Sequence, residues 1–204
     1  WRKTPAMATV KRIEVREAAA RRAMLETGEA DITLPSLKDW KDLEAKGFKR
    51  HHGGGLAMQQ AVGMTGNYWE KKHPLTGATL ERKLDLTKPW VGNPDDPARM
   101  ESARKVRWAL AMDIDREGLR QSVMAGFGEV NYYNYSPTPS NPLFKKGIYP
   151  SGWEIPYDPA GAKKLLAEAG YPKGFDNMEL WTEVAGTPME LAEAVAATWL
   201  ADLN

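Results

Sequence analysis

The chain has 204 residues, 28 basic and 27 acidic side chains, 42% hydrophobic content and no cysteine. That length can bury a core of ordinary domain size, and a net charge of +1 gives no electrostatic reason to expect nucleic acid as a partner. Without cysteine, disulfide scaffolds, thiolate zinc sites and cysteine nucleophiles are excluded; the longest uncharged stretch, His51 to Trp69, is too rich in glycine to span a bilayer.

In chain order, Thr9 to Val15 alternates as a strand, Ala18 to Glu26 is a run of strong helix formers stopped by Gly28, and Ala30 to Leu34 resumes extended structure until Pro35. A strand returning after one short helix predicts a βαβ crossover and hence a mixed or parallel sheet. Ser36 then reads as the N-cap of a short helix that Gly47 ends. Residues 48–95 are rich in glycine and turn signals and predict an irregular segment. Asp96-Pro97 caps a helix running to about Met112, with Val106, Ala109, Leu110 and Asp113 on neighbouring turns.

Asp115 caps a second helix ending near Gly126, and residues 128–157 read as loop. Asp158-Pro159 repeats the cap device before the apolar stripe Ala162, Leu165, Leu166 and Ala169, closed by Gly170. Asn177 to Val184 alternates as a strand. Thr187-Pro188-Met189-Glu190 has the form of a capping box opening a helix with Leu191, Val195 and Trp199 on one face. The expected class is α/β, a mixed sheet flanked by helices.

Three segments carry a family resemblance. Arg22 to Ile32 reads R-A-M-L-E-T-G-E-A-D-I, Val106 to Glu117 reads V-R-W-A-L-A-M-D-I-D-R-E, and Tyr157 to Tyr171 reads Y-D-P-A-G-A-K-K-L-L-A-E-A-G-Y. In this order they resemble the family 5 extracellular solute-binding proteins, the peptide and nickel receptors of ABC importers. Two residues depart from the pattern. Gly161 stands where a charged helix former is usual, and Asp113 where a small residue is usual. The Asp113 carboxylate either faces solvent or pairs with a base such as Arg116 or Arg107.

The resemblance implies a receptor of the type II periplasmic-binding fold, whose two lobes close over a solute. It implies that residues 1–204 are a single, incomplete second lobe, with the first lobe before Trp1 and a return segment, including the principal ligand-gripping residues, after Asn204. The opening Trp1-Arg2-Lys3-Thr4-Pro5, with no initiator Met and no signal pattern, fits an internal piece. The partners implied are a peptide or another small solute and the permease subunits in the membrane, and the implied location is periplasmic or extracellular and membrane-anchored. A ligand-sensing receptor domain and an enzyme on a similar scaffold are the alternatives.

Catalysis finds no foothold in the residues. There is no Gly-x-Ser-x-Gly elbow, and the histidines His51, His52 and His73 lack ligand spacing, so neither an enzyme, a metal nor a cofactor is expected. Gly53-Gly54-Gly55 is not followed by the Gly-Lys-Ser/Thr of a phosphate loop and reads as a turn. Trp108 and Trp199 read as core, whereas Tyr68, Trp69 and Trp90 suit a lid or cleft wall. In α/β sheets the ligand crevice lies beyond the carboxyl ends of strands. That rule selects Ser36 and the stretch from Glu183 to Thr187. Ser36 and Thr187 compete as helix caps, the favoured reading for Thr187, while Glu183 reads either as a solvated strand end or as a carboxylate that meets a cationic group of the ligand. The expected ligand contacts are thus Ser36, Trp69, Glu183 and Thr187.

Overall fold

A computed structural model describes residues 7–51, 60–67, 69–80, 84–132, 154–176, 178–183 and 186–204. The chain divides into two compact units, residues 1–53 and residues 54–204.

In the first unit, α1 (Ala18–Glu26) is followed by a 3-10 turn (Leu37–Asp39) and α2 (Trp40–Ala45). Gly28 and Gly47 leave the helices with φ of 75° and 92°, the left-handed geometry that a glycine stop supplies. Apolar burial is slight here, with Leu43 the fully buried hydrophobic side chain. Two adjacent arginines do the joining instead. Arg21 donates to the carbonyls of Leu34 and Val15, each at 2.9 Å. Arg22 reaches Glu26 at 3.1 Å, Asp39 at 2.7 Å and also Asp42, while Lys46 bridges Glu26 and Asp42 at 2.9 Å each. These bonds hold Glu26 and Asp42 below the usual carboxylate range, chiefly through Lys46 in both cases.

The second unit carries α3 (Pro97–Met112), α4 (Arg116–Ser122), α5 (Pro159–Glu168) and α6 (Thr187–Asp202). The aspartate caps form as the sequence predicts. Asp96 accepts from the amides of Ala98 and Arg99, Asp115 from Gly118 and Asp158 from Gly161, satisfying amides that a helix leaves unbonded at its start. The stripes predicted on three helices meet in one core of Val106, Ala109, Leu110, Ala162, Leu166, Ala169, Val195, Trp199 and Leu203. Trp108 departs from the reading: it is exposed rather than part of this core, because Val106 and Ala109 occupy the inward face of α3.

The carboxyl end of α3 shows how these parts lock together. Its last four carbonyls have no partner within the helix. Ala109 accepts from the Asp113 amide at 3.1 Å, and Leu110 from the Trp199 indole at 3.0 Å. Ala111 accepts from Arg116 and Met112 from the Asp158 amide, both at 3.0 Å. Three other segments therefore dock on one helix end.

The irregular stretch before α3 is fastened by its arginines. Arg99 donates to the carbonyls of Val91, Leu86 and Lys88 and reaches the Tyr171 hydroxyl at 3.4 Å. Arg107 donates to the Trp90 carbonyl at 2.7 Å, and the Trp90 indole donates to Thr65 at 2.9 Å. Trp90 is thus tied into the packing beside Phe175.

Two expectations fail on local geometry. Thr187 is the first helical residue of α6, not its cap; the cap position is Gly186, with φ of 83°, and no side-chain cap bond forms. The predicted box cannot close because Pro188 and the glycine turn already set the helix entry one residue earlier. The predicted strands 9–15 and 30–34, and 178–183 of the third, carry no ladder; among the described residues there are only isolated bridges, such as Lys72 with Thr79. Alternation marks a surface to be buried, but a strand also needs a neighbour to take its amides and carbonyls. Several apolar side chains of these segments accordingly stay open, with Val10 78%, Ile32 89% and Trp181 90% exposed, while Met178 and Leu180 pack against the helical core.

Candidate functional site

A groove of about 740 Å³ runs between residues 179–183 and α6. Its floor is apolar, formed by Leu180 with Met189, Ala192 and Ala196 of the helix, and its rim carries Glu179, Glu183 and Glu193. The period of two places Glu179, Trp181 and Glu183 on one side of the segment. The Trp181 indole donates to Glu179 at 3.2 Å, holding an exposed ring beside the acidic rim. A flat aromatic face among carboxylates can receive an amine or guanidinium, or stack on a planar group.

Of the expected ligand contacts, Glu183 lines this groove; Thr187 and Trp69 belong to the same unit but not to the groove wall. Trp69 is 39% exposed in the irregular segment. Ser36 lies in the first unit, where its carbonyl accepts from the Asp39 amide at 3.0 Å and its side chain makes no cap bond. Glu179, Trp181 and Met189 escaped the sequence reading of the site, although the two-residue spacing to Glu183 was a usable signal for the first two. Glu193 comes from the facing helix and had no local signal.

The other candidates resolve simply. His73 uses Nδ1 to accept from the amides of Leu75 and Thr76, a turn-forming role. His51 is exposed, and His52, Tyr68 and Gly53-Gly54-Gly55 lie outside the described residues. Among the described residues no group of three or more His, Cys, Asp or Glu side chains could hold a metal ion. No helix among them is long and apolar enough to cross a membrane.

Comparison with known proteins gives this geometry a context. Residues 1–204 match the family described as bacterial extracellular solute-binding proteins, family 5 middle. Heme-binding protein A of Haemophilus influenzae is 36% identical over 103 residues, covering 47% of this chain and 17% of that protein. Glutathione-binding protein GsiB of Salmonella typhimurium is 29% identical over 164 residues, 79% of this chain and 24% of that protein. Oligopeptide-binding protein AppA of Bacillus subtilis is 39% identical over 71 residues, 33% of this chain and 12% of that protein. The chain thus spans no more than a quarter of the length of these relatives. No solved structure matches it. Matched to the family along its whole length, the chain belongs to the family 5 bacterial extracellular solute-binding proteins.

Proposed function

We propose that this chain is part of the second lobe of the substrate-binding component of an ABC importer. The parent protein captures a peptide or similar solute outside the cytoplasmic membrane and delivers it to the permease by lobe closure. The observation that carries the reading is the family match over residues 1–204, joined by relatives named for binding oligopeptide, glutathione and heme. Family membership implies a type II periplasmic-binding fold. Within it, segments 9–15, 30–34 and 178–183 become strands of a mixed sheet by pairing with chain outside residues 1–204.

The mechanism is recognition without chemistry. A solute enclosed between two lobes has its polar groups paired by protein and its water expelled. Its binding energy then shifts the population toward the closed form that a permease recognises. Ser36, Trp69, Glu183 and Thr187 are the proposed contacts, with Glu183 meeting a cationic group.

The test is calorimetric titration of the parent protein with short peptides, glutathione and heme. Micromolar or tighter binding of one class, with the ligand recovered unaltered and a Glu183→Gln variant weakened toward cationic members, is the expected result. Conversion of the ligand to product, or no binding by any class, overturns the reading.

A further inference from the structure

Asn67 pairs with the backbone of residues 90–92 as a neighbouring strand would. Its side-chain amide donates to the Trp90 carbonyl at 3.3 Å and accepts from the Gly92 amide at 3.0 Å. A residue in a parallel ladder makes the same two bonds, to the carbonyl before and the amide after the residue it faces, here Val91. Asn67 Oδ1 also accepts from Arg107 at 3.4 Å, and Arg107 makes a shorter bond, 2.7 Å, to the Trp90 carbonyl. Trp90 returns the connection, its indole donating to the Thr65 carbonyl at 2.9 Å. Between these bonds sits Gly66, where a Cβ would come within 2.9 Å of a Val91 methyl. Val91 and Gly92 are themselves buried. Residues 65–67 are therefore clasped to residues 90–92, and Arg107 fastens both to α3.

Trp69 lies two residues beyond this clasp. On its far side the chain is pinned again, because residues 71–80 fold back on themselves. The Leu80 amide donates to the Lys71 carbonyl at 3.0 Å and the His73 amide to the Ala78 carbonyl at 2.8 Å. His73 closes the tip, its Nδ1 accepting from the amides of Leu75 and Thr76. Lys71 adds an ion pair with Asp95 at 3.7 Å, exposed on both sides and worth little by itself. Trp69 thus stands two residues from a fixed point in each direction, a span of at most about 7 Å of chain on either side. Its ring is 39% exposed. An exposed ring carried on a segment tied down at both ends loses little freedom when a ligand meets it.

We propose that Asn67, backed by Arg107, is a positioning residue for solute binding: the clasp holds Trp69 where its ring meets the solute. The inference rests on the import reading and on the contact assigned there to Trp69. Asn67 acts through the ring and does not touch the solute, so loss of its amide frees one end of the Trp69 segment and the cost appears as lost affinity. Both edges of the amide are in use. Aspartate keeps the acceptor toward Gly92 and Arg107 and loses the donor to Trp90, whereas alanine loses both.

Calorimetric titration of the full-length parent protein with trialanine, trilysine, glutathione and heme tests this. The proteins compared are the wild type, Trp69→Ala, Asn67→Ala, Asn67→Asp and the double variant Asn67→Ala with Trp69→Ala, each shown to be folded by its unfolding curve. With any probe that the wild type binds, Asn67→Ala should weaken affinity by about fivefold or more, and Asn67→Asp by about twofold. In the Trp69→Ala background, Asn67→Ala should cost less than about twofold, because the ring it positions is gone. A merely structural role would give the same loss in both backgrounds. Should Asn67→Ala fail to fold, Asn67→Ser carries the same cycle. Unchanged affinity in either single alanine variant, or an equal loss with and without the Trp69 ring, overturns the inference and leaves the import reading standing. Failure of the wild type to bind any probe overturns both.

Discussion

The indole of Trp199 donates to the carbonyl of Leu110 at 3.0 Å, so a buried side chain of α6 satisfies a carbonyl that α3 cannot satisfy itself. Replacing Trp199 by Phe keeps an aromatic ring in the core and removes the donor. The expected loss is about 2 kcal/mol, because a buried acceptor left unbonded costs more than the bond's net worth. Urea unfolding measures it, and a loss below about 0.5 kcal/mol would show that the Leu110 carbonyl finds another donor.

Two glycines with positive φ separate backbone strain from steric contact. A Cβ at Gly170, φ 96°, would meet nothing within 4 Å, whereas one at Gly174, φ 75°, would collide with the Asn204 carbonyl oxygen and lie 2.6 Å from that of Leu203. Gly170→Ala should therefore cost only the left-handed penalty of about 1–2 kcal/mol. Gly174→Ala should cost clearly more, since backbone must move. Equal losses in the two unfolding curves would mean that the chain near Gly174 yields freely.

Asp113 gives the protein a specific dependence on pH. Its side chain is fully buried without a hydrogen-bond partner among the described residues, neither facing solvent nor paired with Arg107 or Arg116, which donate to backbone carbonyls. Burial first and the like charge of Asp202 second push its carboxyl up to about 6, above its value in the unfolded chain, so the folded state holds the proton more tightly. In this case the stability contributed by the group is present below about pH 4, falls as pH rises, and stays low above about pH 6. An Asp113→Asn variant should be more stable than the wild type by about 2 kcal/mol at neutral pH, with the gap closing in acid. A gap that does not change between about pH 4 and pH 7 contradicts this account of the carboxyl.

The caps predict a contrast between two positions that look alike in sequence. Asp158 accepts from the Gly161 amide at 2.9 Å, and Thr187 makes no cap bond. Asp158→Ala should lose about 1 kcal/mol, and Thr187→Ala should lie within about 0.5 kcal/mol of the wild type. Similar losses at both would place a cap at Thr187 after all.

Helices were the legible part of the fold because their signals are local. The aspartate before Pro97, the aspartate before Pro159 and the glycine after each apolar run act within a turn or two. The motif residues that carry the resemblance prove largely structural: Arg22 ties α1 to α2, Arg107 holds Trp90, and Asp158 and Tyr171 anchor the two ends of α5's surroundings. They reveal the family more directly than the ligand. Asp113 was misjudged because partner choice is a three-dimensional matter; both nearby arginines had carbonyls within reach. The sheet was not legible either, since alternation at Ile13 and Val15, or at Met178 and Leu180, says which side wants cover and not what provides it. Of the groove, Glu183 could be named from the strand-end rule, but Glu193 required the fold.

Native mass spectrometry of the parent protein, purified without added ligand, tests the central claim most directly. A receptor that holds its guest between lobes and does no chemistry on it should carry one small molecule per chain, which denaturation releases intact and which rebinds with the same mass. Release of a cleaved or otherwise altered molecule, or progressive loss of the added ligand during rebinding, would contradict it.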